Sequence, residues 1–420
     1  MKNTCSFLFL LLISSLTYAQ SSKHVLFIGN SYTATNNLPQ LVADVAESAG
    51  DTLYFDSNAP GGYTFEMHTT NTATINAIAA GTWDYVVLQE QSQIPSFSLD
   101  EVETLCFPFA AELDMMIREA NVCTETLFFM TWGRKDGDAT NCPFWPPVCT
   151  YAGMDSLLRE RYMMMGADND AEVSPVGAVW HYIRETHPEI ELYVGDGSHP
   201  SAAGSYAAAC CFYAAIFQED PTAITYDYTL TAEQAAIIRG AAKTIVFDDL
   251  SAWYIGTYFT IPEAGFTSLA DAPLTLSFSN TSTDAIRYEW QFGDGITSTE
   301  ENPSHTYPGI GDYLVSLIAY GCDTLDVFST MVHLETETNH ITDATSGISI
   351  YPNPVTDILR IQSARPILSI SIFDMIGNRL SVEEMTLQQQ AIDVHTLQAG
   401  MYLLYIETAQ QQTGMYFIKN

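Results

Sequence analysis

The sequence has few basic residues. Lysine and arginine together number 15 among 420 residues, against 50 aspartates and glutamates, which gives a formal net charge of −35. Such a chain repels the phosphates of nucleic acids and the headgroups of anionic lipids, so nucleic acid is excluded as a partner. The composition is otherwise 47% hydrophobic and 12% aromatic. These apolar side chains suffice for packed cores, unlike those of a disordered acidic chain.

Beyond residue 20 the sequence has no run of about 20 apolar residues, which a transmembrane helix requires. At residues 1–20, Lys2 precedes an apolar run from Phe7 to Leu16, and small residues follow at Thr17 and Ala19. This order is typical of a secretory signal peptide with its cleavage site. We therefore expect a secreted protein without a transmembrane segment.

Motifs of cofactor and metal proteins are also missing. No P-loop and no G-x-G-x-x-G opens a helix, so we expect no nucleotide cofactor. No C-x-x-C pair and no neighbouring histidine pair supplies the ligands of a zinc site, so we expect no metal. In an oxidising compartment the cysteines instead favour disulfides, and Cys142 with Cys149 can pin one loop. The adjacent Cys210 and Cys211 lie in an apolar helix-like segment and are expected to be buried.

Residues 21–260 alternate short apolar runs with longer segments of helical length. Strands buried on both faces with helices between them predict a three-layer α/β/α domain with a doubly wound, flavodoxin-like parallel sheet. The predicted strands are 24–29, 52–57, 84–89 and 126–132, and the predicted helices are 38–49, 64–80, 101–120, 151–165, 200–217 and a last one capped by Thr231.

After about residue 260 the chain changes to short alternating strands with glycine, proline and asparagine turns, which predicts two small all-β sandwich domains. Residues 262–335 contain W-x-F-G-D-G from Trp290 to Gly295 and N-P-x-H-x-Y from Asn302 to Tyr307. This segment resembles the PKD-type immunoglobulin-like domain. Trp290 and Tyr307 are the expected core anchors.

A polar linker at 336–347 precedes the last segment, residues 348–420. That segment has a Y-P-N-P opening from Tyr351 to Pro354, an A-G-x-Y element from Ala399 to Tyr402, and a basic final strand at Lys419. It resembles the type IX secretion C-terminal sorting domain. The resemblance implies that the secretion machinery is a partner and that the protein is released or attached to the outer surface.

Two distant segments carry the groups that nucleophilic catalysis requires. Ser31 follows the first predicted strand, and loops at the carboxyl ends of parallel strands are where such sheets bind ligands. His199 and Asp196 lie together in D-G-S-H-P before a helix. A histidine that takes the serine proton needs an acceptor for its second ring nitrogen, and an aspartate three residues earlier can provide one. Ser31, His199 and Asp196 are therefore the predicted nucleophile, base and orienting acid.

Two further loops lie between these segments, P-G-G at 60–62 and L-Q-E-Q-S at 88–92. Together with the Ser31 segment and D-G-S-H-P, these loops make four sequence blocks. The blocks resemble those of the SGNH (GDSL-like) hydrolase superfamily and occur in the same order. The resemblance implies an oxyanion hole made by the backbone N–H groups of Ser31 and Gly62 and by a side-chain amide. The third block lacks the family's usual asparagine, so we assign that role to Gln89, with Gln91 as the alternative. Glu90 is interpreted as a solvated charge.

The resemblance implies a secreted serine esterase that hydrolyses carboxylic esters through an acyl-enzyme without a cofactor. O-acetyl or other short-chain esters on carbohydrate are the favoured substrates. The alternatives are a lipase for longer acyl chains and a surface adhesion or binding protein with an inactive hydrolase-like domain. A proline-rich insertion after the fourth strand adds aromatic and basic side chains, which suit either sugar stacking or a packed lid: Trp132, Arg134, Phe144 and Trp145.

Overall fold

The computed structural model describes residues 20–258, 261–272, 274–322, 324–334, 341–343 and 347–420, with no side-chain detail for 341–343 and 381–390. Apart from Gln20, the predicted signal peptide lies outside the described residues, as does most of the predicted linker. The chain divides into two compact units between residues 259 and 260. No helix among the described residues is long and apolar enough to cross a membrane.

The first unit is built on a five-stranded parallel sheet in the order β2-β1-β3-β4-β5. Its strands are β1 (Ser22–Ile28), β2 (Thr52–Asn58), β3 (Tyr85–Leu88), β4 (Glu125–Phe129) and β5 (Glu172–Ser174). The central strands are buried on both faces, since every residue of β3 and the last four of both β1 and β4 are buried. The predicted doubly wound α/β/α domain is confirmed.

Helices connect these strands and cover the sheet. In the first unit they are α1 (Ser31–Ala34), α2 (Leu38–Ala49), α3 (Phe65–Thr69), α4 (Thr72–Ala79), α5 (Leu99–Leu105), α6 (Phe107–Ala120), α7 (Tyr151–Asp168), α8 (Val176–Thr186), α9 (Ala202–Phe217) and α10 (Ala232–Ile245). α9 packs against α2, α8 and α10, whereas α6 packs against α3, α4 and α5. Buried in α9, Cys210 and Cys211 are free thiols, as expected. Thr231 caps α10, also as predicted.

Two of the predicted helices are each divided in the structure. The predicted helix 64–80 is broken between α3 and α4, where the Asn71 side chain accepts a hydrogen bond from the N–H of Thr74 and starts a new helix. The predicted helix 101–120 is broken at Cys106, between α5 and α6. The apolar run before Asp196 does not join the sheet, because its backbone bonds to residues 199–201.

The second unit begins with two antiparallel sheets, ordered β10-β7-β6 and β12-β11-β8-β9. Their strands are β6 (Phe266–Ala272), β7 (Thr275–Asn280), β8 (Arg287–Gln291), β9 (Thr297–Ser298), β10 (Ser304–Thr306), β11 (Gly311–Tyr320) and β12 (Leu325–Leu334). Trp290 is fully buried in their shared core and Tyr307 is 2% exposed, as predicted. Gly293 has a φ of 85° and lies so close to Leu314 that an added Cβ would be 2.6 Å from its carbonyl oxygen.

The last described segment is one antiparallel sheet around a second core. Its strands are β13 (Ile341–Asp343), β14 (Ile348–Tyr351), β15 (Ile358–Asp374), β16 (Arg379–Asp393), β17 (Gly400–Thr408) and β18 (Gln412–Lys419). β14 pairs with the first part of β15 and β17 with the second part, so the long strand joins two halves of the sheet. Apolar residues from both halves share one buried cluster. β13 lies inside the predicted linker.

Candidate active site

The turn that carries Ser31 is held by the side chain of its neighbour Asn30. β1 ends at Ile28, and Ser31 is the first residue of the short helix α1. The Asn30 side chain accepts a hydrogen bond from the N–H of Tyr32 at 3.2 Å and donates one to the carbonyl of Tyr63 at 2.9 Å. The turn therefore lies at the carboxyl edge of the sheet and is tied to the loop after β2.

Residues 196–199 form a compact turn, which we call the histidine loop. One oxygen of Asp196 accepts hydrogen bonds from the N–H groups of Ser198 and His199 at 2.8 and 2.9 Å, and Gly197 takes a φ of 66°. Burial alone would raise the pKa of Asp196, but hydrogen bonds from His199 and Ser198 and the imidazole charge outweigh it and lower the pKa. The carboxylate is thus kept charged by its own loop.

The structure brings the three predicted catalytic side chains together. The second Asp196 oxygen is 2.6 Å from His199 Nδ1, and His199 Nε2 is 2.8 Å from Ser31 Oγ. Because a carboxylate can only accept, Nδ1 carries the proton and Nε2 is left to accept from the serine hydroxyl. This arrangement can transfer the serine proton to the imidazole as Ser31 attacks a carbonyl carbon.

The backbone N–H groups of Ser31 and Gly62 are available to a ligand. Gly62 is exposed, has a φ of 75° and has no atom within 4 Å of where a Cβ would lie. Among the described residues, none accepts a hydrogen bond from the N–H of Gly62 or of Ser31. The backbone at both positions can therefore receive a negatively charged oxygen.

The assignment of the third donor to Gln89 is wrong in its geometry. Gln89 is fully buried, and its Oε1 accepts hydrogen bonds from the N–H of Asn30 and the hydroxyl of Thr33, both at 2.9 Å. Since a backbone N–H can only donate, the oxygen end is fixed, and Nε2 donates to the carbonyl of Glu90. Gln89 therefore supports the Ser31 turn from below. Gln91, the alternative, is only half-buried.

Glu90 is not the solvated charge that we expected, because its side chain has no exposed surface. Its carboxyl group accepts hydrogen bonds from the N–H groups of Phe65, at 3.0 and 3.2 Å, and of Gln91. Burial raises its pKa to about 8, although these two N–H groups act in the opposite direction. Glu90 thus joins the loop after β3 to the start of α3, just beyond Gly62.

His68 is a second buried group beneath the nucleophile turn. Its Nε2 is 2.8 Å from the carbonyl oxygen of Gly29 and its Nδ1 is 2.8 Å from Thr74 Oγ1. The carbonyl fixes the proton on Nε2, and burial lowers the pKa of the ring. Gly29 has no room for a side chain, since a Cβ would lie 2.4 Å from Thr33 Oγ1. Close packing therefore explains the glycine that precedes Asn30.

The insertion after β4 is largely packed against the domain. Trp132 is fully buried and stacks on Tyr32 at 4.8 Å between ring centres, so it cannot stack on a sugar. Trp145 donates from its indole nitrogen to the carbonyl of Ser96 at 3.1 Å. Phe144 is 85% exposed. The predicted disulfide between Cys142 and Cys149 is present and closes this loop.

Comparisons with known proteins agree with this architecture. Residues 261–329 match the family model for the PKD domain, and residues 349–420 match that for the secretion system C-terminal sorting domain. The chain is similar to the PKD1 domain of Vibrio anguillarum Epp, with 32% identity over 18% of this chain and 95% of that one and a TM-score of 0.17.

Two solved structures are similar to the α/β domain. One is a protein from Slackia heliotrinireducens named as a candidate SGNH hydrolase, with 26% identity over 46% of this chain and 97% of that one and a TM-score of 0.38. The other is a DUF4886 family protein from Bacteroides uniformis, with 19% identity, 55% and 95% coverage and a TM-score of 0.46.

The resemblances expected for the two C-terminal parts of the chain are confirmed by these family models. The sorting domain marks the protein as one that type IX secretion releases or attaches to the outer surface.

Proposed function

We propose that the α/β domain is a serine esterase, and the contact between Ser31 Oγ and His199 Nε2 at 2.8 Å carries the proposal. Ser31 attacks the ester carbonyl while His199 takes its proton and then returns it to the leaving alcohol. Asp196 holds the imidazole in the required tautomer and stabilises its charged form. Water then attacks the acyl-enzyme, with His199 again acting as the base.

The oxyanion that forms at each attack is bound by the N–H groups of Ser31 and Gly62. Gln91, instead of Gln89, supplies the side-chain amide that donates a hydrogen bond to the oxyanion. Its Nε2 donates one hydrogen bond to Gln93 Oε1 at 3.1 Å, and an amide nitrogen has a second N–H to offer. In this proposal the three donors bind the oxygen on which negative charge develops, which lowers the barrier of acyl transfer.

We propose O-acetyl or other short-chain esters on carbohydrate as substrates. The observation that favours carbohydrate is Phe144, an aromatic side chain that is 85% exposed on a disulfide-closed loop at the carboxyl edge of the sheet. Aromatic faces bind sugar rings in exposed sites. Delivery to the outer surface also favours a polymeric substrate outside the cell, since such a substrate cannot enter.

The full mature protein assayed on acetyl to long-chain p-nitrophenyl esters and on acetylated polysaccharides tests this function. We expect the highest kcat/KM for acetyl esters and measurable release of acetate from polysaccharide. A preference for long acyl chains would favour the lipase alternative. Turnover no higher than that of Ser31→Ala would reject the esterase and favour the adhesion protein.

The division into residues 21–260, 262–335 and 348–420 is part of this proposal. Removal of 348–420 should leave ester hydrolysis intact and stop delivery to the surface or medium, because the triad lies entirely within the first segment. Fractionation of the host cells measures the delivery. Normal delivery of the shortened protein would contradict the role given to the sorting domain.

A further inference from the structure

Arg134 lies beside the histidine loop. The chain that leaves β4 runs along this loop and is bonded to it at two points on either side of Arg134. The indole nitrogen of Trp132 donates to the carbonyl of Ser198 at 3.0 Å, and the N–H of Lys135 donates to the carbonyl of Gly197 at 2.8 Å. The backbone of Arg134 is therefore fixed next to the residues that activate the nucleophile.

On its other side, the Arg134 guanidinium is linked through Asp138 to the loop after β3. Its Nη1 is 3.4 Å from Asp138 Oδ1, and Asp138 Oδ2 accepts a hydrogen bond from Gln93 Nε2 at 2.6 Å. Gln93 is bonded in turn to Gln91. Arg134 thus lies between the two loops that flank Ser31, the one with the base and the one with the proposed oxyanion donor.

Asp138 does not use up the hydrogen-bonding capacity of this guanidinium. The carboxylate has closer donors in Gln93 and Asn141, both at 2.6 Å, and in the N–H of Thr140 at 3.1 Å. The Nε of Arg134 is buried, and among the described residues none accepts a hydrogen bond from it. The Arg134 side chain is 26% exposed, so solvent and ligands can reach part of it.

A positive charge at this position is unusual for a chain with a net charge of −35. The neighbouring Lys135 is paired with Glu191 at 2.5 Å, whereas Arg134 retains unused donors. Burial raises the pKa of the Tyr32 hydroxyl, and the charge of Arg134 acts against this rise, so the field of the guanidinium reaches the residue next to Ser31. A guanidinium presents its N–H groups in a planar fork that matches a carboxylate.

We propose that Arg134 binds an anionic group on the alcohol part of the substrate, so that the enzyme prefers esters of acidic sugars such as uronic acids. The inference rests on the proposed esterase function, because it specifies the substrate of the same site. The net negative charge repels acidic polymers in general, and Arg134 supplies the local attraction that lets one be bound in a single orientation. Phe144 lies on the same insertion and offers the sugar ring an apolar face.

A matched pair of substrates tests the proposal: an O-acetylated methyl glucuronoside and the corresponding methyl glucoside, which differ only in the carboxylate. In the wild-type protein we expect kcat/KM to be about 10- to 100-fold higher for the glucuronoside, mostly through KM, as for one charge-assisted contact. The ratio should fall to near 1 in Arg134→Gln and be partly kept in Arg134→Lys. Lys135→Gln, the matched control, should keep it.

No preference in the wild type, or an unchanged ratio in Arg134→Gln, would overturn the assignment. If a glucoside 6-sulfate is preferred to the glucuronoside, the anionic group is a sulfate, and the assignment to uronic acids is rejected. Calorimetry with unacetylated methyl glucuronoside measures the binding without catalysis, and circular dichroism checks that each variant is folded. If no ester is hydrolysed above the Ser31→Ala level, the esterase proposal fails, while Arg134-dependent binding still decides the inference.

Discussion

The two sides of Ser31 are built in different ways. On one side, Asp196 orients His199 entirely through contacts within one half-exposed loop of four residues. On the other side lie three fully buried residues from two segments, Gln89 and Glu90 after β3 and His68 in α3, which we call the buried support. The buried support bonds mainly to backbone groups. Proton transfer is therefore organised locally, whereas the position of the nucleophile depends on the folded domain.

The largest loss of activity is expected when the hydroxyl oxygen of Ser31, which both sides position, is removed. Ser31→Ala is expected to lower kcat by a factor on the order of 10⁴ or more, because among the described residues no other nucleophile is hydrogen-bonded to His199 Nε2. His199→Ala should cost about as much, and the double variant little more, since the two residues act as one unit. Steady-state kinetics with the best acetyl ester measures this. Additive losses would show that the residues work independently.

Within the histidine loop, Asp196→Asn should lower kcat by roughly 10²–10⁴. The amide can present an N–H to His199 Nδ1 and thereby favour the wrong tautomer, while the loop keeps most of its backbone contacts. Asp136→Asn, at an exposed position in the neighbouring insertion, is the control and should retain full activity. Comparable kcat values for the two variants would remove Asp196 from the mechanism.

Gln91→Ala and Gln89→Ala separate catalysis from support. Gln91→Ala should lower kcat by about 10²–10³ with little change in Tm, as for one oxyanion donor. Gln89→Ala should instead lower the free energy of unfolding by about 1–3 kcal/mol, because the N–H of Asn30 and the hydroxyl of Thr33 lose a buried acceptor. Thermal unfolding and kinetics on both proteins test the distinction. A large kcat loss in Gln89→Ala at unchanged Tm would restore the original assignment.

Glu90→Gln weakens the buried support at one point. The side-chain amide turns an N–H towards a site that now accepts hydrogen bonds from Phe65 and Gln91, so we expect about 1–3 kcal/mol of destabilisation and roughly a tenfold lower kcat. Glu103→Gln, the same exchange at an exposed position in α5, is the control and should leave stability and kcat unchanged. Wild-type kinetics in Glu90→Gln would show that the two loops keep their positions without this carboxyl group.

The smallest effect on activity is expected from Glu172→Gln in β5. Burial raises the pKa of Glu172 from 4.5 to about 8, while its Oε1 accepts from the N–H of Gly256 at 2.8 Å. A carboxyl group whose pKa is higher in the folded state stabilises fully below about pH 4.5, and this contribution is lost as pH rises towards 8.

We therefore expect Glu172→Gln to be more stable than the wild type at pH 8, by roughly 1–3 kcal/mol, and the difference to shrink towards pH 4.5. Denaturant unfolding of both proteins across this range measures the difference, and kcat should not change. A difference that is independent of pH would show that Glu172 titrates normally in the folded protein.

The difference between the two sides of Ser31 also explains which parts of the fold and site could be predicted from the sequence. The histidine loop could be predicted because its residues lie within four positions of one another. The sheet could be predicted because most of its strands are continuous apolar runs. The roles of Glu90 and His68 could not be predicted, since the contacts that tie them to the site, with Phe65 and with Gly29, come from segments 25 and 39 positions away. The one available signal was that Gln89 and Glu90 directly follow a strand buried on both faces.

Short or interrupted elements were missed for a similar reason. β5 has only three residues, too few for a pattern, and its identity as a strand depends on pairing with β4. In the apolar run before Asp196, Leu192 and Tyr193 are buried, as in a strand, but the backbone of the run bonds to residues 199–201. The composition of a segment indicates whether it is buried, but it does not indicate which other segment provides its backbone hydrogen bonds.

The contact between Ser31 and His199 spans 168 positions of the chain. During synthesis the serine leaves the ribosome long before the imidazole exists, and the two meet only when the first and last parts of the domain have come together. A growing or unfolded chain therefore holds a serine hydroxyl without its base. Only molecules in which this domain has folded can therefore turn over an ester. A preparation that contains partly folded molecules would show a lower number of active sites but the same rate per active site.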